Sequence, residues 1–194
     1  KKHQGITEFL SKKDGIKGNE VMLIYNKKLS VSPLTTHIPL KDVSSKINKL
    51  AIIKKIKTIY NFYKKIFKKK PYIGILGLNP HNFSPSKKSE EEKIIIPAIR
   101  TIKKTKIKVM GPIPPDTSFV TLEKNKFDVM LGMYHDQVLT PFKTIFKYDA
   151  INITLGLPYI RITPDHGVGR DIVGKKIANP NSLIQAIKFF NYKK

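Results

Sequence analysis

The sequence predicts an α/β protein built on a mainly parallel sheet flanked by helices. Three observations carry this. Short, nearly continuous apolar runs suit strands covered on both faces, stretches with helical period lie between them, and turn or capping residues mark the junctions. Residues 21–25 (VMLIY) and 29–33 read as a hairpin joined by Asn26, Lys27 and Lys28. From position 42 to 70, apolar residues fall in steps of three and four, among them Val43, Ile47, Leu50, Ile53 and Ile56, with lysines on the opposite face. That predicts one long helix, stopped by Pro71. Residues 72–78 (YIGILGL) follow as a strand. Ser89 and Glu92 form a capping box ahead of a second helix, IIIPAIRTIKK, with Pro97 inside it. Residues 107–110, 127–133 and 151–155 read as further strands, and 182 to about 192 as an amphipathic helix.

The composition narrows the function classes. A formal charge of +23 points first toward nucleic acid, but only three of the 37 basic residues are arginine (Arg100, Arg161 and Arg170). Base-edge and bidentate phosphate recognition favours the planar guanidinium fork, and here lysine is scattered throughout. The charge therefore reads as a solvated surface and nucleic acid is not the expected partner. A lysine-rich nucleic-acid-binding protein stands as the alternative from another class. There is no cysteine, which removes disulfides, thiolate metal sites and thiol nucleophiles. No apolar stretch approaches the ~18 residues of a membrane span, so a soluble, cytoplasmic protein is expected. The chain opens on Lys1 rather than methionine, as part of a longer protein would.

In sheets of this kind, ligands gather beyond the carboxyl ends of the strands. After LSVSPL comes His37, after YIGILGL comes His81, and after FDVMLGM comes His135. Three of the five histidines thus recur at one topological position. Neutral imidazoles suit a borderline divalent ion, and three of them leave coordination positions open for water or substrate. Three independently placed histidines are the competing reading. No HExxH helix is present, and no GxGxxG follows a strand.

The strings TTHIPL, GLNPH, GPIPPDTSF, MYHDQ, NITLGLPYIR and DHG, in this order, resemble the 4-hydroxythreonine-4-phosphate dehydrogenase family of vitamin B6 biosynthesis. The resemblance runs over essentially the whole chain. It implies an isocitrate/isopropylmalate dehydrogenase-like fold, with residues 1–194 as the carboxyl-terminal part of a two-domain enzyme. The implied reaction is an NAD-dependent oxidation and decarboxylation of 4-phosphohydroxy-L-threonine, in a homodimer with active sites at the interface. The implied metal, zinc, magnesium or cobalt, is held by His37, His81 and His135. Substrate binding falls on Thr7, Lys143, Asn152 and Arg161. Asp136 is a candidate to orient a ligand imidazole, and Asp165 and His166 lie in a turn that could face phosphate or cofactor.

The chain departs from the family pattern at three places. Ile6 stands where the family has histidine, NFSPSKKS follows His81 where the family is glycine-rich, and Val138 replaces the usual glycine. A β-branched residue at 138 is expected to distort the turn carrying His135. These departures leave a further alternative, a non-catalytic or split remnant that keeps the metal site.

Overall fold

The computed structural model describes residues 6–15, 20–82, 88–167 and 169–191. Its strands are β1 (Val21–Tyr25), β2 (Ser30–Pro33), β3 (Tyr72–Leu76), β4 (Lys108–Ile113), β5 (Val129–Gly132), β6 (Ile151–Leu155) and β7 (Arg161–Pro164). They form one sheet in the order β4-β3-β5-β2-β1-β6-β7. The pairs β3/β4, β3/β5 and β2/β5 are parallel, while β1/β2, β1/β6 and β6/β7 are antiparallel. It follows that β2, β3, β4, β5 and β6 share one direction, and β1 and β7 oppose it. The sheet is mainly parallel, as the apolar runs predict.

The helices are α1 (Ile6–Lys13), α2 (Val43–Lys46), α3 (Lys49–Ile66), α4 (Ile96–Lys103), α5 (Pro115–Ser118), α6 (Leu122–Asn125), α7 (His135–Phe146) and α8 (Asn181–Asn191). Alternation along the strands sends their side chains to two cores. Leu23, Ile73, Ile75, Val129, Leu131 and Ile153 meet Ile52, Ile56 and Ile59 of α3, Ile99 and Ile102 of α4, and Phe189 of α8. On the other face, Ile24, Val31 and Met130 meet Val138, Leu139 and Phe142 of α7.

Two differences from expectation bear on the site, and α1, α5, α6 and β7 also stand where the sequence pattern predicts no element. The helix predicted from 42 to 70 is broken. A 3-10 turn (Leu40–Asp42) leads into α2, Ile47 adopts an extended ψ of 124°, and α3 begins afresh. Asn48 caps the new start, its side chain accepting from the Ala51 N–H at 2.8 Å. Apolar periodicity continues across this break, so the pattern alone conceals it. At the other end α3 stops at Ile66, ahead of Lys68 with a φ of 54°. The second difference is α7. MYHDQ opens a helix rather than simply ending a strand, and Pro141 sits within that helix. The expected capping box is half made, with Glu92 N–H donating to Ser89 Oγ at 3.4 Å. A π-helical turn (Glu91–Ile95) leads from there into α4 and its early Pro97.

Phe142 is fully buried under α7. Phe142→Ala should cost about 3–5 kcal/mol, whereas Asn48→Ala should cost about 1 kcal/mol, read from denaturant unfolding. Equal small losses would contradict this packing of α7.

Candidate functional site

Because β3, β5 and β2 are parallel neighbours, their carboxyl ends lie side by side. The segments leaving them carry His81, His135 and His37 respectively. The His37 and His135 rings come together, with centroids 5.5 Å apart and planes tilted by 43°. His81 is turned elsewhere. It occupies a left-handed conformation (φ 54°) in the turn Pro80–Asn82, and its Nδ1 lies 3.2 Å from Asp116 Oδ2. Among the described residues, no three His, Cys, Asp or Glu side chains approach closely enough to hold one metal ion. Two of the three strand-end imidazoles, His37 and His135, are thus neighbours, while His81 is engaged by Asp116 and the expected three-histidine set does not converge among the described residues. Asp136 Oδ1 lies 2.7 Å from His135 Nδ1, so that contact engages Nδ1 and not Nε2.

The strand ends are stitched together by side chains to which sequence pattern assigns no role. Leu34 N–H donates to Gly132 O at 2.7 Å, and Thr35 Oγ1 donates to Met133 O at 2.8 Å, joining the exits of β2 and β5. Gln137 joins β5 to β3: its Oε1 accepts from Met133 N–H at 2.7 Å and its Nε2 donates to Gly77 O at 2.8 Å. Lys55 donates to Pro33 O and Leu34 O at 2.7 and 3.0 Å. Burial of that ammonium lowers its pKa to about 8, against an upward pull from Glu20. Two glycines are needed for this crowding. A Cβ at Gly132 would lie 2.5 Å from Val138 Cγ1, and one at Gly77 would overlap Asn82 Oδ1. Val138 itself is fully buried in the first turn of α7, so the expected distortion near His135 gives way to a packed contact over Gly132.

Glu91 holds the β3 exit. Its carboxylate is only 1% exposed and accepts from Leu78 N–H, Asn79 N–H and Asn79 Nδ2 at 2.7, 2.8 and 2.8 Å. Burial alone would raise its pKa, but the hydrogen bonds from Asn79 and Leu78 outweigh it and hold the group below the ordinary carboxylate value. The capping-box pattern points to Glu92 instead, which is why Glu91 escapes notice in the sequence.

The candidate substrate residues lie on the α7 side of the sheet. Asn152 pairs in register with Ile24 and Thr163, and Thr154 with Arg161, so all of these side chains share the face that α7 covers. Arg161 donates from NH1 to Thr154 Oγ1 at 2.8 Å. Asn152 Oδ1 is buried and accepts no hydrogen bond among the described residues. Lys143 lies about 12 Å along α7 from His135. Its Nζ donates to Asp165 O at 3.0 Å and sits 3.1 Å from the buried Asp165 Oδ2. His166 is exposed, with Nδ1 donating to Gly167 O at 3.0 Å. The side chains of Ile6 and Thr7, and residues 83–87, lie outside the described residues.

A carboxyl with a depressed folded pKa adds stability above its unfolded value, and that stability is lost as pH falls through the folded pKa. Glu91→Gln should therefore lower stability at neutral pH and flatten the fall in stability below pH 4.5, measured by urea unfolding across pH. An unchanged acid limb would contradict the role given to Glu91.

The family model described as pyridoxal phosphate biosynthetic protein PdxA matches residues 1–190. The 4-hydroxythreonine-4-phosphate dehydrogenase of Sulfurihydrogenibium sp. is 46% identical over 188 residues, covering 96% of this chain and 58% of that protein. The enzyme of the same name from Aquifex aeolicus is 45% identical over 187 residues, again covering 96% and 58%. A crystal structure of the Klebsiella pneumoniae 4-hydroxythreonine-4-phosphate dehydrogenase superimposes with a TM-score of 0.82 at 33% identity, covering 98% of this chain and 58% of that one. This chain thus spans less than two thirds of the length of the relatives it matches. On its own motifs, its sheet and these likenesses, the chain belongs to the PdxA family of pyridoxal phosphate biosynthetic proteins.

Proposed function

We propose that this chain forms the carboxyl-terminal, substrate-binding part of an NAD-dependent and divalent-metal-dependent dehydrogenase of vitamin B6 biosynthesis. The reaction is the oxidation of 4-phosphohydroxy-L-threonine followed by decarboxylation to 3-amino-2-oxopropyl phosphate. The observation that carries this reading is the approach of His37 and His135 at adjoining strand ends, in a chain whose relatives bear that enzyme's name. His37 and His135 would hold zinc, magnesium or cobalt, with His81 as the third donor that the family resemblance implies. Such an ion supplies positive charge where the substrate hydroxyl loses its proton and where charge develops on loss of carbon dioxide.

In the oxidation, the carbinol hydrogen leaves with its electron pair to NAD and the hydroxyl proton departs. In the decarboxylation, the bond to the carboxylate breaks and its pair passes to the new carbonyl. The residues of this chain bind and orient. Asp136 holds His135 by Nδ1. Arg161 presents its guanidinium beside Thr154 and suits a phosphate or carboxylate oxygen. Asn152 offers a buried amide oxygen to a substrate ammonium or hydroxyl. Lys143 is already neutralised by Asp165, so an anionic substrate would share that cation rather than meet it bare. Thr7 completes the proposed substrate contacts, and a homodimer with sites at its interface is part of the same proposal.

The pairing of His81 with Asp116 favours one second reading, a remnant that keeps the fold without turnover. NADH formation from 4-phosphohydroxy-L-threonine, followed by absorbance with zinc, magnesium or cobalt present, separates the two. The dehydrogenase reading predicts metal-dependent NADH release, and an Arg161→Ala variant whose KM rises roughly 10- to 100-fold. A folded, metal-loaded chain that shows no turnover even when joined to the family's remaining length, of which it spans 58%, would establish the remnant.

A further inference from the structure

A second cleft opens at the end of the sheet opposite the strand-end histidines. Tyr25, the last residue of β1, pairs there with Ser30 and Ile151, the first residues of β2 and β6. The cleft lies between these strand ends, the carboxyl end of α3 and helix α8, and its volume is about 1300 Å³. Three rings form an apolar wall. Tyr25 and Phe67 stack with centroids 5.1 Å apart and planes 13° from parallel, and Phe189 meets Phe67 edge-on at 5.9 Å. Tyr25 and Phe67 are only half-buried, so part of that aromatic surface lines the cleft.

Around this wall stand four exposed lysines from separate elements: Lys27 between β1 and β2, Lys65 and Lys68 at the end of α3, and Lys188 on α8. Lysine is common in this chain, and lysines near a helix carboxyl end also answer the helix dipole. The balance of charge decides whether that accounts for them. Asp149 is the one carboxylate among the described lining residues, and its oxygens already accept from Gln185, Asn26 and Asn181 at 2.9, 3.2 and 3.3 Å. The carboxyl ends of α3 and α8 add about half a negative charge each. Four ammonium groups against one carboxylate and two helix ends leave an excess of about two positive charges. A phosphate dianion matches that excess. A bare anion would leave the ring wall wet, and an uncharged ring would leave the lysines without a counter-charge. We propose that this cleft binds a planar heteroaromatic phosphate of nucleotide size, its ring on Tyr25 and Phe67 and its phosphate among the lysines. None of the residues placed in the dehydrogenase site lines the cleft, so the proposal stands apart from that reading.

The test titrates adenosine monophosphate, inorganic phosphate and adenosine separately into chain labelled with carbon-13 at phenylalanine and nitrogen-15 at histidine. Adenosine monophosphate should give saturable shifts of the Phe67 and Phe189 ring resonances while those of His37 and His135 stay in place. Phosphate and adenosine alone should each bind at least roughly tenfold more weakly. Lys68 has a φ of 54°, where glycine is the ordinary residue, so Lys68→Gly removes a charge without straining the backbone. That variant should melt no lower than the original chain. Combined with Lys188→Gln, it should weaken adenosine monophosphate binding by roughly tenfold. Absence of saturable binding would overturn the proposal, as would adenosine monophosphate that shifts only the histidines. Inorganic phosphate bound as tightly as the nucleotide, or a double variant that binds within about twofold of the original chain, would overturn it too.

Discussion

Gln137 holds the ends of β3 and β5 together, taking the Met133 N–H on its oxygen and giving its amide hydrogen to Gly77 O, at 2.7 and 2.8 Å. Backbone groups at strand ends have lost their ladder partners, and a buried one left unsatisfied costs about 1–3 kcal/mol. One side chain thus satisfies two such groups and sets the spacing of two segments that carry histidines. It does so from the first turn of α7, two residues after His135, so the helix start and the strand ends form one unit. Thr35 extends the seam to β2 and Glu91 extends it beyond β3. The two crowded glycines follow from this. Gly132 lies under Val138, and Gly77 lies against Asn82 with Glu91 close by.

A second seam runs down the α7 face. Lys143 reaches both the backbone and the buried carboxylate of Asp165. Asp165 N–H in turn donates to Ser182 Oγ, which itself donates to Ala150 O. Residues from α7, the end of β7, α8 and the start of β6 are thereby linked through Asp165 and Ser182. The candidate anion-binding cation is also a structural one, and its removal would disturb α7 and α8 together. Arg161 donates to the Thr154 hydroxyl on the neighbouring strand.

Much of the fold was legible because burial on both faces leaves a plain record, as in the strands around Ile73–Ile75 and Val129–Leu131. What escaped was chemistry hidden inside a regular pattern. Asn48 caps a new helix in the middle of an unbroken apolar stripe, and α7 carries Pro141 inside it, where the pattern predicts no helix. The histidines were legible as strand-end residues because topology alone places them there. Their ring directions were not, since the left-handed turn at His81 and its partner Asp116 depend on packing between segments far apart in sequence. Lys55 and Gln137 were invisible for a different reason. A buried lysine among many exposed ones, and a glutamine beside a histidine, carry no periodic signal.

The proposed metal site rests on three neighbouring strand ends that offer one set of imidazole donors, two already together and the third held by Asp116. Zinc titration of chain labelled with nitrogen-15 at histidine, followed through the ring resonances, tests it most directly. His37 and His135 should shift together and reach an end point at one equivalent, with His81 shifting in the same titration. Independent end points for His37 and His135, or no shift at either, would contradict a shared ion.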